Sequence, residues 1–128
     1  FRVEEIKGKV SADGQYLQVA GKGNTLFGSN LTMIRGFNNL LNWLMSDMEG
    51  IWNRRHEGMG LEEAVSAAAQ IYASNPCELT GLASQGYGRI VEGAKGDLCV
   101  LDIEQEGGRC RAEVEMTIVD GEVVYARG

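Results

Sequence analysis

The chain has 128 residues, 44% of them apolar and 23% charged, which is the make-up of a folded domain and not of a disordered segment. Its formal net charge is −6 and its one adjacent basic pair is Arg54–Arg55, too little positive charge to grip a nucleic-acid backbone. Three cysteines, Cys77, Cys99 and Cys110, show no Cys-x-x-Cys spacing and imply a reduced, cytoplasmic setting; no apolar run approaches the roughly 20 residues of a membrane span, and no signal-peptide pattern is read at Phe1.

Residues 1–19 read as β structure. Val3, Ile6 and Val10 are apolar among charged neighbours, Asp13–Gly14 is a hairpin turn signal, and Tyr16, Leu17 and Val19 resume the strand. Gly21 to Gly28 reads as a glycine-rich loop, with Ser29 or Asn30 placed to cap the helix that follows. Ile34, Phe37, Leu41, Leu44 and Met48 then recur at helical spacing, widened by Met33, Leu40 and Met45. This predicts the strongest helix of the chain, with room to continue through Ile51 and Trp52 before Gly58–Gly60 stops it.

Leu61 opens a second helix with Glu62 and Glu63 in its first turn, where the helix dipole favours negative charge. Ala64, Val65, Ala68 and Ile71 form a stripe of small side chains. Asn75–Pro76 is expected to end or kink that helix, and Pro76 suits the first position of a short helical turn running to Leu82. From Gly88 the chain reads as β again: Leu98–Leu101 is a compact apolar run, and Met116, Ile118, Val123 and Tyr125 flank the hairpin signal Asp120–Gly121. Glu104 to Arg111 reads as a polar loop. The class is therefore α+β, in the order β-hairpin, two to three helices, then strands, and the two helical stripes have no parallel sheet to cover.

Residues suited to chemistry are sparse. A zinc site needs three or four convergent ligands, and the single histidine, His56, sits in the charged run Asn53-Arg-Arg-His-Glu57, where it reads as a solvated loop residue. Cys99, inside an apolar strand, reads as core; Cys77, just after Pro76, has no histidine placed to activate it. The carboxylate pairs Glu4–Glu5, Glu62–Glu63 and Glu104/Glu106 read as solvated faces or a helix N-terminus, and Asp97 as a turn residue that bonds local backbone N–H groups. The Gly21–Gly28 segment lacks the Gly-Lys-Ser/Thr of a Walker A motif. It does lead into a helix N-terminus, whose outward N–H groups suit polar ligand contacts, although an ordinary β-to-helix loop is the simpler reading.

Two segments sharpen this. Leu26-Phe-Gly-Ser-Asn-Leu-Thr-Met33, followed by Phe37-Asn-Asn-Leu-Leu41, resembles the Leu-Ser/Ala-Gly-Ser-x-Leu-Thr-Met block of the N-acetylglucosamine-6-phosphate deacetylases. Ala73-Ser-Asn-Pro76, Thr80-Gly-Leu82 and Gly88-Arg-Ile-Val-Glu-Gly-Ala-Lys-Gly-Asp-Leu-Cys-Val-Leu-Asp102 are similar to the closing segment of the amidohydrolase superfamily, and Thr117–Tyr125 to its last hairpin. Residues Ser46 to Gly60 run longer than their usual counterpart.

The resemblance implies the C-terminal portion of a metal-dependent hydrolase that combines a (β/α)₈ barrel with a small β-sandwich. Residues 1–82 would form the last βα-loop insertion and the terminal helices of an incomplete barrel, and residues 83–128 the C-terminal strands of the sandwich. It further implies that a divalent metal, zinc or similar, and a catalytic carboxylate act in the full-length family from positions upstream of Phe1, so that this chain carries no catalytic or metal-ligating residue. Leu26, Phe27 and Gly28 would meet an amino-sugar phosphate through backbone groups, with Phe27 standing where the family has a smaller residue. No nucleic acid and no membrane would be bound. The faces Ile34/Phe37/Leu41/Leu44 and Ala64/Ala68/Ile71, lacking a barrel, would be covered by homo-oligomerisation. Two other readings stand beside this one: a module that completes an active site with another chain, or part of another amidohydrolase such as a dihydropyrimidinase-like or adenine-deaminase-like enzyme. The Ser29-Asn-Leu-Thr-Met33 block argues against the latter.

Overall fold

A computed structural model describes residues 2–3, 6–23, 25–49 and 55–128. Contacts within the chain group it into two units, Phe1–Gly36 and Phe37–Gly128. Glu4–Glu5, Ile51, Trp52 and Arg54 lie outside the described residues.

Turn chemistry shapes the first unit. Strands β1 (Arg2–Val3), β2 (Ile6–Val10), β3 (Tyr16–Val19) and β4 (Leu26–Ser29) form one antiparallel sheet in chain order. The predicted Asp13–Gly14 turn joins β2 to β3, with Gly14 at φ 70°, a left-handed conformation that glycine adopts without steric cost. Ser11, only 6% exposed, spends its hydroxyl twice: it donates to Asp13 Oδ1 at 2.5 Å and accepts the Tyr16 N–H at 3.1 Å. Among the described side chains of this sheet, Leu17 is the buried apolar one.

The expected loop Gly21–Gly28 is shorter than predicted. Gly21 and Gly23 do make the turn, at φ 80° and 54°, but Leu26–Ser29 pairs with β3 as a strand, with a bulge between Leu17 and Gln18. The Phe27 ring lies against Gly8, where a Cβ would stand 2.7 Å from it, so a bare backbone at residue 8 makes room for the aromatic side chain.

Helix α1 (Met33–Leu44) begins later than Ser29 or Asn30 would set it. Thr32 is the cap: its Oγ1 accepts the Arg35 N–H at 3.4 Å and its carbonyl accepts the Gly36 N–H at 2.9 Å. Ser29 Oγ instead accepts the Leu31 N–H, and Asn30 Nδ2 donates to Gly14 O. The helix also ends early. Met48, expected on its apolar stripe, lies in β5 (Met48–Glu49), paired with β6 (Arg55–His56). Chain returning from that ribbon satisfies the open helix end: the Met59 N–H and His56 Nε2 both donate to Leu44 O, at 2.8 and 2.9 Å. The close return requires a glycine, because a Cβ on Gly58 would lie 2.4 Å from Met45 O.

Leu61 opens α2 (Leu61–Ala69) as expected. Pro76 does not stop the helical path. A π turn over Gln70–Ser74, closed by the Asn75 N–H on Gln70 O, widens the backbone just ahead of the proline, and α3 (Asn75–Thr80) continues to a left-handed Gly81 and a 3₁₀ turn at Leu82–Gln85. One wide turn relieves the clash between the proline ring and the carbonyl four residues back. Phe37 of α1 meets Tyr72 edge-on, ring centroids 5.7 Å apart. Phe37, Leu41, Ala64 and Ala68 are buried within the chain, and Ile34 and Leu44 are half-buried; Ile71 is exposed, at 47%.

The last sheet is β7 (Leu98–Glu106), β8 (Arg109–Val119) and β9 (Glu122–Ala126), antiparallel with β8 central. The predicted Asp120–Gly121 hairpin is present, at φ 51° and 83°. The predicted polar loop Glu104–Arg111 is not: both strands run through it, and only Gly107–Gly108 turns, at φ 57° and 77°, the left-handed pair of a two-residue hairpin. Its charges misled the sequence reading because they pair across the ladder, Glu104 opposite Arg111 and Glu106 opposite Arg109. Cys99, expected in the core, is exposed; Cys110 on β8 is the buried thiol, at 4% exposure.

Candidate functional site

Leu26, Phe27 and Gly28 occupy β4, the edge strand of the first sheet, four residues before the cap of α1. Leu26 is 68% exposed, whereas Phe27 and Gly28 are half-buried. The segment after them is held firmly. Arg35 reaches back from the first turn of α1, donating to Gly14 O at 3.2 Å, Asn30 O at 3.4 Å and Gln15 Oε1 at 2.9 Å. The β2–β3 turn and the approach to α1 are thereby tied through one carbonyl, Gly14 O. The signal for Arg35 was a lone cation on an otherwise uncharged helix, and the sequence reading passed over it.

Among the described residues, the same unit carries the one clear electrostatic shift. The Ser11 hydroxyl, and after it the Gln15 N–H at 3.1 Å, hold the Asp13 carboxyl below its ordinary value, with the Arg35 charge adding in the same direction. These bonds favour the ionised form and make Asp13 a structural anchor for the turn.

The other nominated residues are engaged elsewhere. His56 is not a loop residue: it lies on β6, half-buried, with Nε2 on Leu44 O. Cys77 sits in α3 with Gly88 against its sulfur, where a Cβ would come within 2.9 Å of Sγ, and Ser74 Oγ donates to Gly88 O at 2.8 Å. Glu62 and Glu63 are exposed in the first turn of α2. Asp97 does bond backbone, but across the fold and not locally. Its Oδ1 accepts the Asp120 N–H at 2.7 Å, while Gly121 N–H reaches Gly96 O at 3.0 Å, so it pins the β8–β9 turn. Asp102, Glu113 and Glu115 gather around Arg127 on the solvent side of the last sheet, an exposed network whose pairs are worth about 0–1 kcal/mol each.

Two asparagines take roles that the sequence does not announce, Asn38 within the Phe37–Leu41 segment and Asn42 just beyond it. Asn38 Oδ1 accepts the Ala112 N–H at 2.6 Å and Asn38 Nδ2 donates to Ala112 O at 2.9 Å. Asn42 repeats this with Cys110, at 2.9 and 2.7 Å. The match is geometric: four residues of helix rise about 6 Å, and two residues of strand span about 7 Å. Their signal was a pair of poor helix formers one turn apart inside a strongly apolar helix.

Residues 29–125, from the Ser29–Asn30 approach through α1 to the last strand, match the model described as the amidohydrolase family. The chain belongs to the amidohydrolase family. Comparison with curated proteins and with solved structures returns no match. As an amidohydrolase the chain falls in a family of hydrolases that typically use a metal. Leu26, Phe27 and Gly28 precede the matched stretch. Among the described residues no three His, Cys, Asp or Glu side chains converge to hold a metal. His56 Nε2 donates to Leu44 O at 2.9 Å, and Cys110 Sγ lies 3.3 Å from Met45 Sδ. Among the described residues, no helix of this amidohydrolase is long and apolar enough to cross a membrane.

Proposed function

We propose that this amidohydrolase chain is the C-terminal part of a cytoplasmic N-acetylglucosamine-6-phosphate deacetylase, which hydrolyses the amide of an N-acetyl amino-sugar phosphate and releases acetate. In this reading residues 1–82 form the last βα-loop insertion and terminal helices of a barrel, and residues 83–128 are strands of a small β-sandwich. The observation that carries it is the block Leu26–Met33. It runs as edge strand, turn and helix cap, tied in place by Arg35. Leu26, Phe27 and Gly28 then offer main-chain groups of an edge strand to the sugar, and Phe27, whose ring lies against Gly8, stands where the family has a smaller residue. Metal ligands and catalytic carboxylate come from outside this sequence, and the chain alone does not turn over substrate.

The test is acetate release from N-acetylglucosamine 6-phosphate. The purified chain, with or without added Zn²⁺, is expected to release none, and co-expression with the barrel portion of such a deacetylase is expected to restore release. Turnover by the chain alone, or no restoration by a folded complex, overturns the proposal.

A further inference from the structure

Strand β8 is covered along its outer edge in two stretches. β9 pairs with it from Met116 to Val119, and the Arg127 N–H extends that cover to Glu115 O at 2.8 Å. Where β9 has ended, the side-chain amides of Asn38 and Asn42 take over at Ala112 and Cys110. Each amide sets a carbonyl beside an NH₂, the same donor and acceptor that a neighbouring strand would bring. Both residues of β8 thus send their N–H and C=O away from β7 and into a helix. The arrangement is reinforced within α1, where Asn42 Nδ2 also donates to Asn38 O at 2.8 Å.

We propose that Asn38 and Asn42 latch α1 over a sheet edge that would otherwise pair with the same edge of a second copy of this chain. A strand edge with unpaired N–H and C=O groups is a template for another strand. This edge is self-complementary. Antiparallel pairing about Arg111 sets Cys110 of one copy against Ala112 of the other twice over, a fit of small side chains, and sets Arg109 against Glu113 at both ends. At the centre the two Arg111 side chains face each other, and each keeps an ion pair with Glu113 of its own strand, a carboxylate that Arg127 shares. Burial follows the same alternation: Cys110 and Ala112 are buried at 4% and 1%, while Arg109 and Arg111 are exposed. The latch therefore converts a pairing edge into the inner face of a helix contact.

The decisive comparison is the mass of wild type against Asn38→Ala/Asn42→Ala by light scattering across a dilution series, with circular dichroism to verify folding. The folded double variant is expected to double its mass relative to wild type as concentration rises. Adding Arg109→Glu, which places like charges opposite Glu113, is expected to reverse the doubling. A folded double variant with wild-type mass throughout overturns the proposal, as does association that Arg109→Glu leaves untouched. Hydrogen exchange on the wild type gives an arm that needs no variant. The Cys110 and Ala112 amides are expected to exchange as slowly as those of Arg111 and Glu113; exchange at the rate of an exposed loop overturns the latch. If the double variant fails to fold, the single variant Asn38→Ala is carried through the same mass comparison and decides it in the same terms.

Discussion

Among the described residues of 1–36 the buried apolar side chain is Leu17, beside a buried hydroxyl on Ser11, whereas those of 37–128 bury Phe37, Leu41, Ala64, Ala68, Cys110 and Ala112. The first unit makes up for its thin core with polar ties that converge on one turn: Asn30 and Arg35 on Gly14 O, Ser11 on Asp13 and Tyr16. The second unit uses its polar ties differently, laying asparagine amides along a strand whose apolar face is already buried. The contrast follows from magnitude. A buried leucine contributes about twice what a net hydrogen bond does, about 1.5–3 kcal/mol for the side chain against about 0.5–1.5 kcal/mol for the bond. A unit resting on the latter is sensitive to each bond and to pH, and one resting on the former to each cavity.

The largest expected effect tests that contrast directly. Leu41→Ala, at a fully buried position, is expected to cost about 2–5 kcal/mol in urea unfolding, with Leu17→Ala at the low end of the same range because less structure surrounds the cavity. Equal losses at the two leucines would break the comparison. A smaller effect is expected from Arg35→Met, which keeps an apolar stem and removes three donated bonds. Its cost should be about 1 kcal/mol, and exchange of the amides around Gly14 should quicken while those of β8 stay unchanged. Quickening in both places would mean that the polar ties are not confined to the first unit.

The smallest effect is a pH dependence. Asp13 is held below the ordinary 3.8, so its ionised form favours the folded state. That contribution is fully present above 3.8 and is lost as pH falls through the lower folded value. Unfolding measured from pH 6 down to pH 2 should therefore show a loss in wild type that is diminished in Asp13→Asn. Parallel curves for the two proteins would remove Asp13 from the set of ties.

Local signals were legible where one residue type demands one conformation. Asp13–Gly14 and Asp120–Gly121 turn as read, and Leu61 begins its helix. The boundaries that failed were settled by partners distant in sequence. The charged run Glu104–Arg111 looks like a loop until its acids and bases are set opposite one another across β7 and β8. Met48 continues the helical period of α1, yet it pairs with His56 in a ribbon. The strand geometry of Leu26–Gly28 was not legible, because it depends on pairing with Tyr16–Gln18.

The block Leu26–Met33 and the closing run Gly88–Asp102 were enough, as sequence, to bring the chain to the amidohydrolases, since both are strings of contiguous residues with fixed spacing. Only the tertiary structure decided what Asn38, Asn42 and Arg35 do. Their bonds to Ala112, Cys110 and Gly14 join residues far apart along the chain, and a hydrogen bond of that kind leaves no period or turn signal for a linear reading to find.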